Sequence, residues 1–420
     1  MLMKFVRTLS RLIIGITFIL SGFLKAVDPT GSALKIDEYL KAFHLGGLDF
    51  ISMPAGILLS AAEFLIGVCI FKGIMMRLFS KITLGFVSFF TLLTLYSALF
   101  NPVQDCGCFG EAFHLTNWET FFKNVVLLVC ALVIYWQRDK FKPIASAGWK
   151  YVYIAFYAAL ILGISFDALR HLPRIDFGTF KSGTVLGSGE VAQPEHEYET
   201  VFTYSKEGVE KQFTLENLPD STWTFVSADT KLVSVSSYSG AGAELILKTG
   251  DGVYVTDEIL GDEGPMFLLS VYDYKKIDAP LVDKIKALYG AATANGARFY
   301  ILSGNSPEDL SAGFAESGLP VLFTDYKSTL SLNRSNGGLT YLNDGAVIKK
   351  WSRHKYPSDI AAVIGEDSEI MAAGESTKEL LFVEITLVAI FLLVLISRFV
   401  SKWIYKKSRS EDQLSDMQLQ

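Results

Sequence analysis

The run Ile82 to Phe100 is apolar, and it breaks at Asn101-Pro102-Val103-Gln104-Asp105-Cys106-Gly107-Cys108-Phe109-Gly110 before apolar character resumes at Phe121. A helix crosses the hydrocarbon core of a bilayer in about 17 to 25 residues, so this pattern reads as two membrane helices joined by a short polar loop. The loop holds two of the chain's four cysteines, one residue apart. Gly107 between them permits the tight turn that a disulfide or a metal site at this spacing requires.

Outward from that loop, further spans are predicted at Leu12 to Leu24, Ile51 to Phe71, Phe121 to Trp136, Trp149 to Phe166 and Leu380 to Ser397, six in all with Ile82 to Phe100. The composition agrees, since a hydrophobic fraction of 50% with a charged fraction of 20% does not suit a soluble protein of 420 residues. Lys4, Arg7 and Arg11 before the first run resemble a signal-peptide n-region. No small-x-small cleavage site follows and further spans come at once, so the first run is read as an uncleaved membrane helix.

Basic residues assign the orientation. Arg7 and Arg11, then Lys72, Arg77 and Lys81, then Arg138, Lys140 and Lys142, and finally Arg398, Lys402, Lys406, Lys407 and Arg409 fall on one side if every span crosses once. Both termini are then cytoplasmic, and the protein is expected in the cytoplasmic (inner) membrane as a multi-pass protein with its large domain in the periplasm. Val27 to Phe50, the Cys106/Cys108 loop and the segment from His171 to Lys378 face outward, where disulfides persist. Trp118, Trp136, Trp149 and Trp403 sit at span ends, as interfacial aromatics do. A net charge of -6 and the lack of a basic stripe interleaved with aromatics argue against a nucleic-acid partner. Four cysteines are too few to staple a secreted scaffold.

The outer segment starts with Gly178 to Pro194, rich in Gly and Ser and read as a linker. Val201-Phe202-Thr203-Tyr204 and Thr222-Trp223-Thr224-Phe225 alternate as strands do. Met266 to Tyr272 reads as a buried strand, Leu281 to Ala294 as a helix stopped at Asn295-Gly296, and Arg298 to Leu302 as the next strand. Ser306-Pro307-Glu308 reads as a capped helix start, Pro320 to Thr324 as a strand, and Ser328 to Leu332 as a helix. Asn343-Asp344-Gly345 marks a hairpin between Leu339 to Leu342 and Ala346 to Ile348, followed by a helix near Pro357 to Ile364. The fold class expected is a membrane α-helical bundle with an α/β extracytoplasmic domain. The tail after Lys402 is basic, then acidic and polar, and is expected to be disordered.

The strand and helix order over about Asp257 to Gly365 resembles the thioredoxin fold. Active thioredoxins carry a Cys-x-x-Cys where this chain has Asp273-Tyr274-Lys275-Lys276-Ile277-Asp278-Ala279-Pro280, and a proline where it has Asn336-Gly337-Gly338. The resemblance therefore implies binding or scaffolding for this domain rather than exchange chemistry. The membrane part resembles the DoxX-like family and, within it, the branch of the methylamine-utilisation protein MauE. The matching residues are Ser21 to Pro29, Glu63, and Asp105-Cys106-Gly107-Cys108-Phe109-Gly110. This resemblance covers a four-helix unit and implies a role in periplasmic thiol–disulfide chemistry or maturation of exported proteins. The combination resembles a Bacteroidota group in which a DoxX-like bundle is fused to a thioredoxin-like domain. Leu172 to Lys181 resembles that group's post-bundle motif, with Gly178-Thr179 in place of Arg-Pro. The domain limits so drawn are 1–136 for the four-helix unit, 137–172 for the fifth helix, 173–256 for the linker and β-rich segment, 257–376 for the thioredoxin-like domain and 377–420 for the sixth helix and tail.

Three sets of residues are candidates for chemistry. Cys106 and Cys108 form either a redox dithiol, catalytic in exchange with an extracytoplasmic client or redox partner, or a permanent loop disulfide. A metal reading would add His114 but leaves a zinc site one ligand short. Cys69 and Cys130 lie within the second and fourth spans, either as buried packing groups or as a second thiol pair that a quinone would serve. Glu63 is an intramembrane carboxylate, costly unless paired or facing a polar cavity, and Lys25 is long enough to reach it. The bland alternative is an interhelical hydrogen bond that only holds the bundle together. Glu384 is expected to reach interfacial water. His44, His171, His196 and His354 are scattered and form no nucleophilic triad in the sequence.

Overall fold

The structure is a computed structural model that describes residues 2–418 apart from 104–106, 112–114, 142–146, 188–196, 207–208, 214–222, 235–241 and 308–316. Cys106 and His114, and most of the helix expected after Ser306, lie outside the described residues. Among the described residues, six helices are long and apolar enough to cross a membrane. They contain the six predicted runs, save Ile51 at the start of the second: α1 (Leu2–Val27), α3 (Ser52–Lys72), α4 (Met76–Phe100), α5 (Asn117–Trp136), α6 (Ala147–Arg170) and α11 (Ser368–Gln418). Phe89, Leu92, Phe122, Val126 and Val129 of α4 and α5 are exposed, which suits a lipid-facing surface.

The seam between α1 and α3 is the tightest in the bundle, and small residues make it so. A Cβ on Gly22 would lie 2.6 Å from the Ser60 carbonyl oxygen and 2.5 Å from the Phe64 nitrogen. One on Gly67 would lie 2.6 Å from the Ile19 nitrogen, and one on Gly15 would lie 2.7 Å from Phe71 Cβ. Bare glycine backbones let the two helices touch, a recurring solution where lipid removes the hydrophobic drive for helix pairing. Phe23, Phe64, Tyr157, Ile390 and Val394 then fill a core shared by α1, α3, α6 and α11, while Ile14, Cys69, Cys130 and Ile134 pack in a second one with α4 and α5.

Two outer segments differ from the sequence expectation. Val27 to Phe50 is not simply a loop, because α2 spans Pro29–Ala42. Its start signal is present, since Asp28 accepts a hydrogen bond from the Gly31 nitrogen and proline occupies the first turn. The apolar face is only a short patch around Ala33 and Leu34, so its periodicity is weak. The last helix is also longer than Leu380 to Ser397 at both ends and continues through Gln418, where a disordered tail was expected. No Gly or Pro follows Gly374, so nothing local breaks it. Glu384 lies about a third of the way along that helix and is exposed.

Outside the bundle a seven-stranded sheet has the order β6-β2-β11-β10-β7-β8-β9. The strands are β2 (Val185–Leu186), β6 (Gly242–Ala243), β7 (Pro265–Val271), β8 (Arg298–Ser303), β9 (Val321–Phe323), β10 (Gly338–Asn343) and β11 (Ala346–Trp351). β7, β8 and β9 run parallel, and β10 is antiparallel to both β7 and β11. Asp344 and Gly345 both have positive φ, as the two-residue turn of the β10–β11 hairpin demands. β7 is buried on both faces. Phe267, Leu269 and Val271 pack towards α8 (Ala279–Ala294), and Met266 and Leu268 pack with Phe180, Leu186, Leu245 and Leu247. The expected linker therefore contributes Phe180 and strand β2 to this core, a role that a two-residue strand cannot announce through periodicity. A separate three-stranded sheet orders β4 (Val209–Phe213), β3 (Glu197–Lys206) and β5 (Thr224–Ser234).

The outer domain is held to the bundle by ion pairs and by α11. Met371 lies in the domain core, and Ile390 and Val394 of the same helix lie in the membrane core. Arg334 Nη2 reaches Asp28 Oδ2 at 3.0 Å with both side chains buried, Lys327 pairs with Glu38, and Lys350 Nζ stands 2.5 Å from Asp176 Oδ2. Burial alone would raise the Asp176 carboxyl, but the charge and hydrogen bond of Lys350, aided by Arg334, hold it below its ordinary range.

Two measurements check this architecture. Gly22→Leu should destabilise the detergent-solubilised protein by roughly 1–3 kcal/mol through overpacking, whereas Gly85→Leu, which meets open space, should leave the melting temperature unchanged. The depressed Asp176 carboxyl binds a proton more readily unfolded than folded, so its contribution is complete above the usual carboxylate range and is lost as pH falls through and below it. Asp176→Asn should flatten the acid limb of melting temperature against pH, and an unchanged acid limb would count against the Asp176–Lys350 pair.

Candidate functional site

Lys25 stands one turn beyond Ser21 on α1, and Glu63 stands on α3 across the glycine seam. The close approach at Gly22 brings these side chains together near the C-terminal end of α1. Lys25 Nζ lies 2.7 Å from Glu63 Oε2 and 2.9 Å from Oε1, and both side chains are buried. The ammonium also donates to Ser21 Oγ at 3.0 Å and to the Cys108 carbonyl oxygen at 2.6 Å. An ammonium has three protons, and here one carboxylate, one hydroxyl and one carbonyl accept them. Ser21 Oγ is itself 2.6 Å from both Glu63 Oε2 and the Cys108 carbonyl, so its single proton serves either one.

The cysteine loop is thus tied to the ion pair through its backbone. Its neighbours fix it as well. Asn101 ends α4 with positive φ, and its side-chain oxygen accepts a hydrogen bond from Asn117 Nδ2, which also donates to the Val103 carbonyl. Thr116 and Glu119 form a reciprocal cap at the start of α5. Gly107 has φ +60 and leaves room for Lys35, whose Cγ would lie 2.7 Å from a Cβ placed there. Any side chain at 107 therefore meets both a disfavoured backbone conformation and Lys35. Lys35 pairs with Glu38 at 3.2 Å, and Glu38 in turn pairs with Lys327 of the outer domain.

Beside the ion pair lies a cavity of about 440 Å³. Ser21, Lys25, Glu63, Gly107 and Cys108 border it at one end, and most of its remaining wall is apolar or aromatic, including Phe18, Leu59, Phe86 and Phe90. Tyr39 and Asn124 add polar groups, Tyr39 with its hydroxyl 3.2 Å from Ser97 Oγ.

The other sequence candidates fall elsewhere. Cys69 and Cys130 are free thiols buried in the same apolar core, and Cys130 is hydrogen-bonded with Ser10. Neither borders the cavity. Cys106 and His114, the other members of the dithiol and metal readings, are outside the described residues. His171 Nδ1 lies 3.0 Å from Asp167 Oδ1, a pairing one helical turn apart that sequence inspection overlooked, but Asp167 also binds Arg174. The segment Asp273 to Pro280 is pinned by Asn336, whose Oδ1 accepts from the Tyr272 and Asp273 nitrogens and whose Nδ2 donates to the Asp273 carbonyl. Burial pushes the Tyr272 hydroxyl up to about 12.

Residues that sequence reasoning missed are Ser21 as part of the ion-pair cluster, and the links Asp28–Arg334 and Lys35–Glu38–Lys327. The four-residue spacing of Ser21 and Lys25 places them on one helix face and could have joined them. Nothing local to Asp28 points to Arg334.

Residues 3–137 match the family model described as methylamine utilisation protein MauE. Over those residues the chain is similar to that family. That match covers α1 to α5, and so takes in Lys25, Glu63 and the cysteine loop. Residues 198–234, the three-stranded sheet, match a family described only as a domain of unknown function. No curated protein and no solved structure matches the chain.

The ion pair is testable by single and double substitution. Lys25→Met or Glu63→Leu alone leaves one buried charge uncompensated and should cost roughly 3–5 kcal/mol, whereas the double variant removes both charges and should recover much of that loss. Thermal melts of the solubilised variants check this, and additive losses in the double variant would count against the pair.

Proposed function

We propose that this chain is a multi-pass protein of the cytoplasmic membrane that takes part in thiol–disulfide exchange outside the cytoplasm, with Cys106 and Cys108 as its dithiol. The reading rests on the four basic clusters at one end of the spans, which favour both termini in the cytoplasm and the large domain in the periplasm. It is supported by the match of residues 3–137 to the MauE family model.

The observation that carries the chemical part is the seat of Cys108. Its carbonyl accepts from Lys25 and Ser21, which also bind Glu63, so the cysteine loop rests on the bundle's buried acid–base pair at the border of the cavity. A dithiol that cycles needs a fixed backbone and nearby groups able to exchange protons, and this arrangement supplies both.

The outer domain serves in this reading as a thioredoxin-like holder for a protein client or redox partner. The order β11-β10-β7-β8, with β10 antiparallel both to β11 and to the parallel β7–β8 pair, supports that likeness. The domain contains no cysteine, so exchange chemistry outside the membrane falls to the bundle's loop.

A second reading is a non-enzymatic envelope scaffold with a permanent Cys106–Cys108 disulfide. It is favoured by the buried Arg334–Asp28 pair, which anchors the domain to the bundle rather than leaving it mobile.

Thiol trapping in membranes separates the two. Under the exchange reading, the Cys106/Cys108 pair should shift between reduced and oxidised forms on reductant and oxidant challenge, and Cys106→Ser should abolish the shift. A pair that stays oxidised throughout, together with normal function of the Cys106→Ser/Cys108→Ser double variant in complementation, would establish the scaffold instead.

A further inference from the structure

We propose that the cation cluster at the basic end of the bundle, where α1, α3 and α11 meet, binds the phosphate of an anionic phospholipid. Arg7 and Arg11 stand one turn apart on α1, and their guanidinium carbons lie 5.1 Å and 5.9 Å from the centroid of the Phe141 ring. Arg398 of α11 donates from Nη1 to the Phe71 carbonyl at 3.3 Å, beside Lys72 at the end of α3. Phe71 packs against Gly15, one turn along α1 from Arg11, and Arg398 stands within electrostatic reach of both Arg11 and Lys72. Three helices thus bring four cations together.

Among the described residues no carboxylate offsets them. Lys72 is fully buried, yet its ammonium meets neutral groups, Ser397 Oγ at 2.8 Å and the rings of Tyr153 and Tyr157 at 3.7 Å and 5.3 Å. The Nε atoms of Arg11 and Arg398 are buried without a hydrogen-bond partner. Asp139, in the connection between α5 and α6, is taken by Arg77 at 2.7 Å. Residues 142–146 add Lys142 and no acid, and the next acid along α11 after Arg398 is Glu411, roughly 20 Å further on. A snorkelling cation reaches water and needs no partner, but these buried atoms do not reach it. At the end of a membrane span the anion at hand is a lipid phosphate. Arg7, Arg11 and Arg398 are only half-buried, and guanidinium forks match pairs of phosphate oxygens.

The surroundings favour a lipid over a soluble anion. Leu395, Ile396 and Phe399 flank Arg398 on α11, Phe5 and Leu9 flank Arg7 and Arg11 on α1, and all five are exposed. Acyl chains cover such residues, whereas free phosphate gains nothing from them. A zwitterionic headgroup would bring one more cation to the cluster, so a net-anionic lipid fits better. Of the six candidate spans α11 is the least buried, and a phosphate bridging Arg398 to Arg11 would hold it to the bundle. The site is independent of the thiol chemistry above; only its assignment to the cytoplasmic leaflet rests on the proposed orientation.

The test uses the full chain purified in mild detergent, with phosphatidylglycerol as the probe and phosphatidylcholine and inorganic phosphate as comparators. Native mass spectrometry should show one phosphatidylglycerol per chain, bound about tenfold or more tightly than phosphatidylcholine. Arg11→Gln and Arg398→Gln should each weaken it by about tenfold, while Lys81→Gln, an exposed cation near the start of α4, should not. In lipid-free detergent Arg11→Gln should melt no lower than the parent, because it relieves repulsion within the cluster. Added phosphatidylglycerol should then raise the parent's melting temperature more than the variant's. Equal binding of the two lipids, binding indifferent to Arg11→Gln, an equal loss in Lys81→Gln, or a lipid-free Arg11→Gln protein less stable than the parent would overturn the proposal. Displacement of phosphatidylglycerol by inorganic phosphate at equal concentration would show a soluble-anion site and overturn the lipid assignment.

Discussion

A buried charge pair within an apolar bundle imposes the constraint on which the rest depends. Lys25 and Glu63 cannot be left uncompensated at that depth, and their 2.7 Å contact requires α1 and α3 to approach more closely than ordinary side chains permit. Gly15, Gly22 and Gly67 make that approach possible. Beyond the Glu63 carboxylate and Ser21, the ammonium reaches off the two helices to the Cys108 carbonyl at 2.6 Å. The cysteine loop is therefore positioned by its carbonyl contact with the ion pair as well as by the positive φ of Asn101 and Gly107 in its own sequence.

The same economy of charge joins the outer domain to the bundle. Asp28 caps α2 through one carboxylate oxygen and binds Arg334 through the other. Glu38, one face along α2, pairs with both Lys35, which packs at Gly107, and Lys327 of the outer domain. α2 thus lies between the cysteine loop and the domain, in contact with each. With α11 running unbroken from the domain core to the membrane core, the domain is fixed at two places over the loop it has no cysteine to replace.

Much of the architecture was legible in the sequence because it is local. Apolar runs long enough to span a bilayer become helices wherever they are placed, and the Asn343-Asp344-Gly345 turn closes its hairpin through two residues that tolerate positive φ. The errors came where the deciding partner is distant. α2 buries only a short patch, so its cap was legible but its amphipathic period was not. Val185–Leu186 becomes a strand only because β11 offers an edge. The tail past Lys402 reads as polar coil, yet it follows a helix with no breaker in its path.

For the site, the sequence by itself determined the chemical inventory: an intramembrane carboxylate, a lysine within reach, and two thiols one residue apart in a polar loop. Hydropathy and spacing suffice for that, because the cost of a charge in lipid depends on local surroundings. Only the tertiary structure decided that Lys25 spends its protons on Glu63, Ser21 and the Cys108 carbonyl, that Cys69 and Cys130 pack in a separate core, and that Arg334 finds Asp28. Those choices pair groups up to about 300 residues apart. They follow from helix packing geometry, which no stretch of the chain encodes alone.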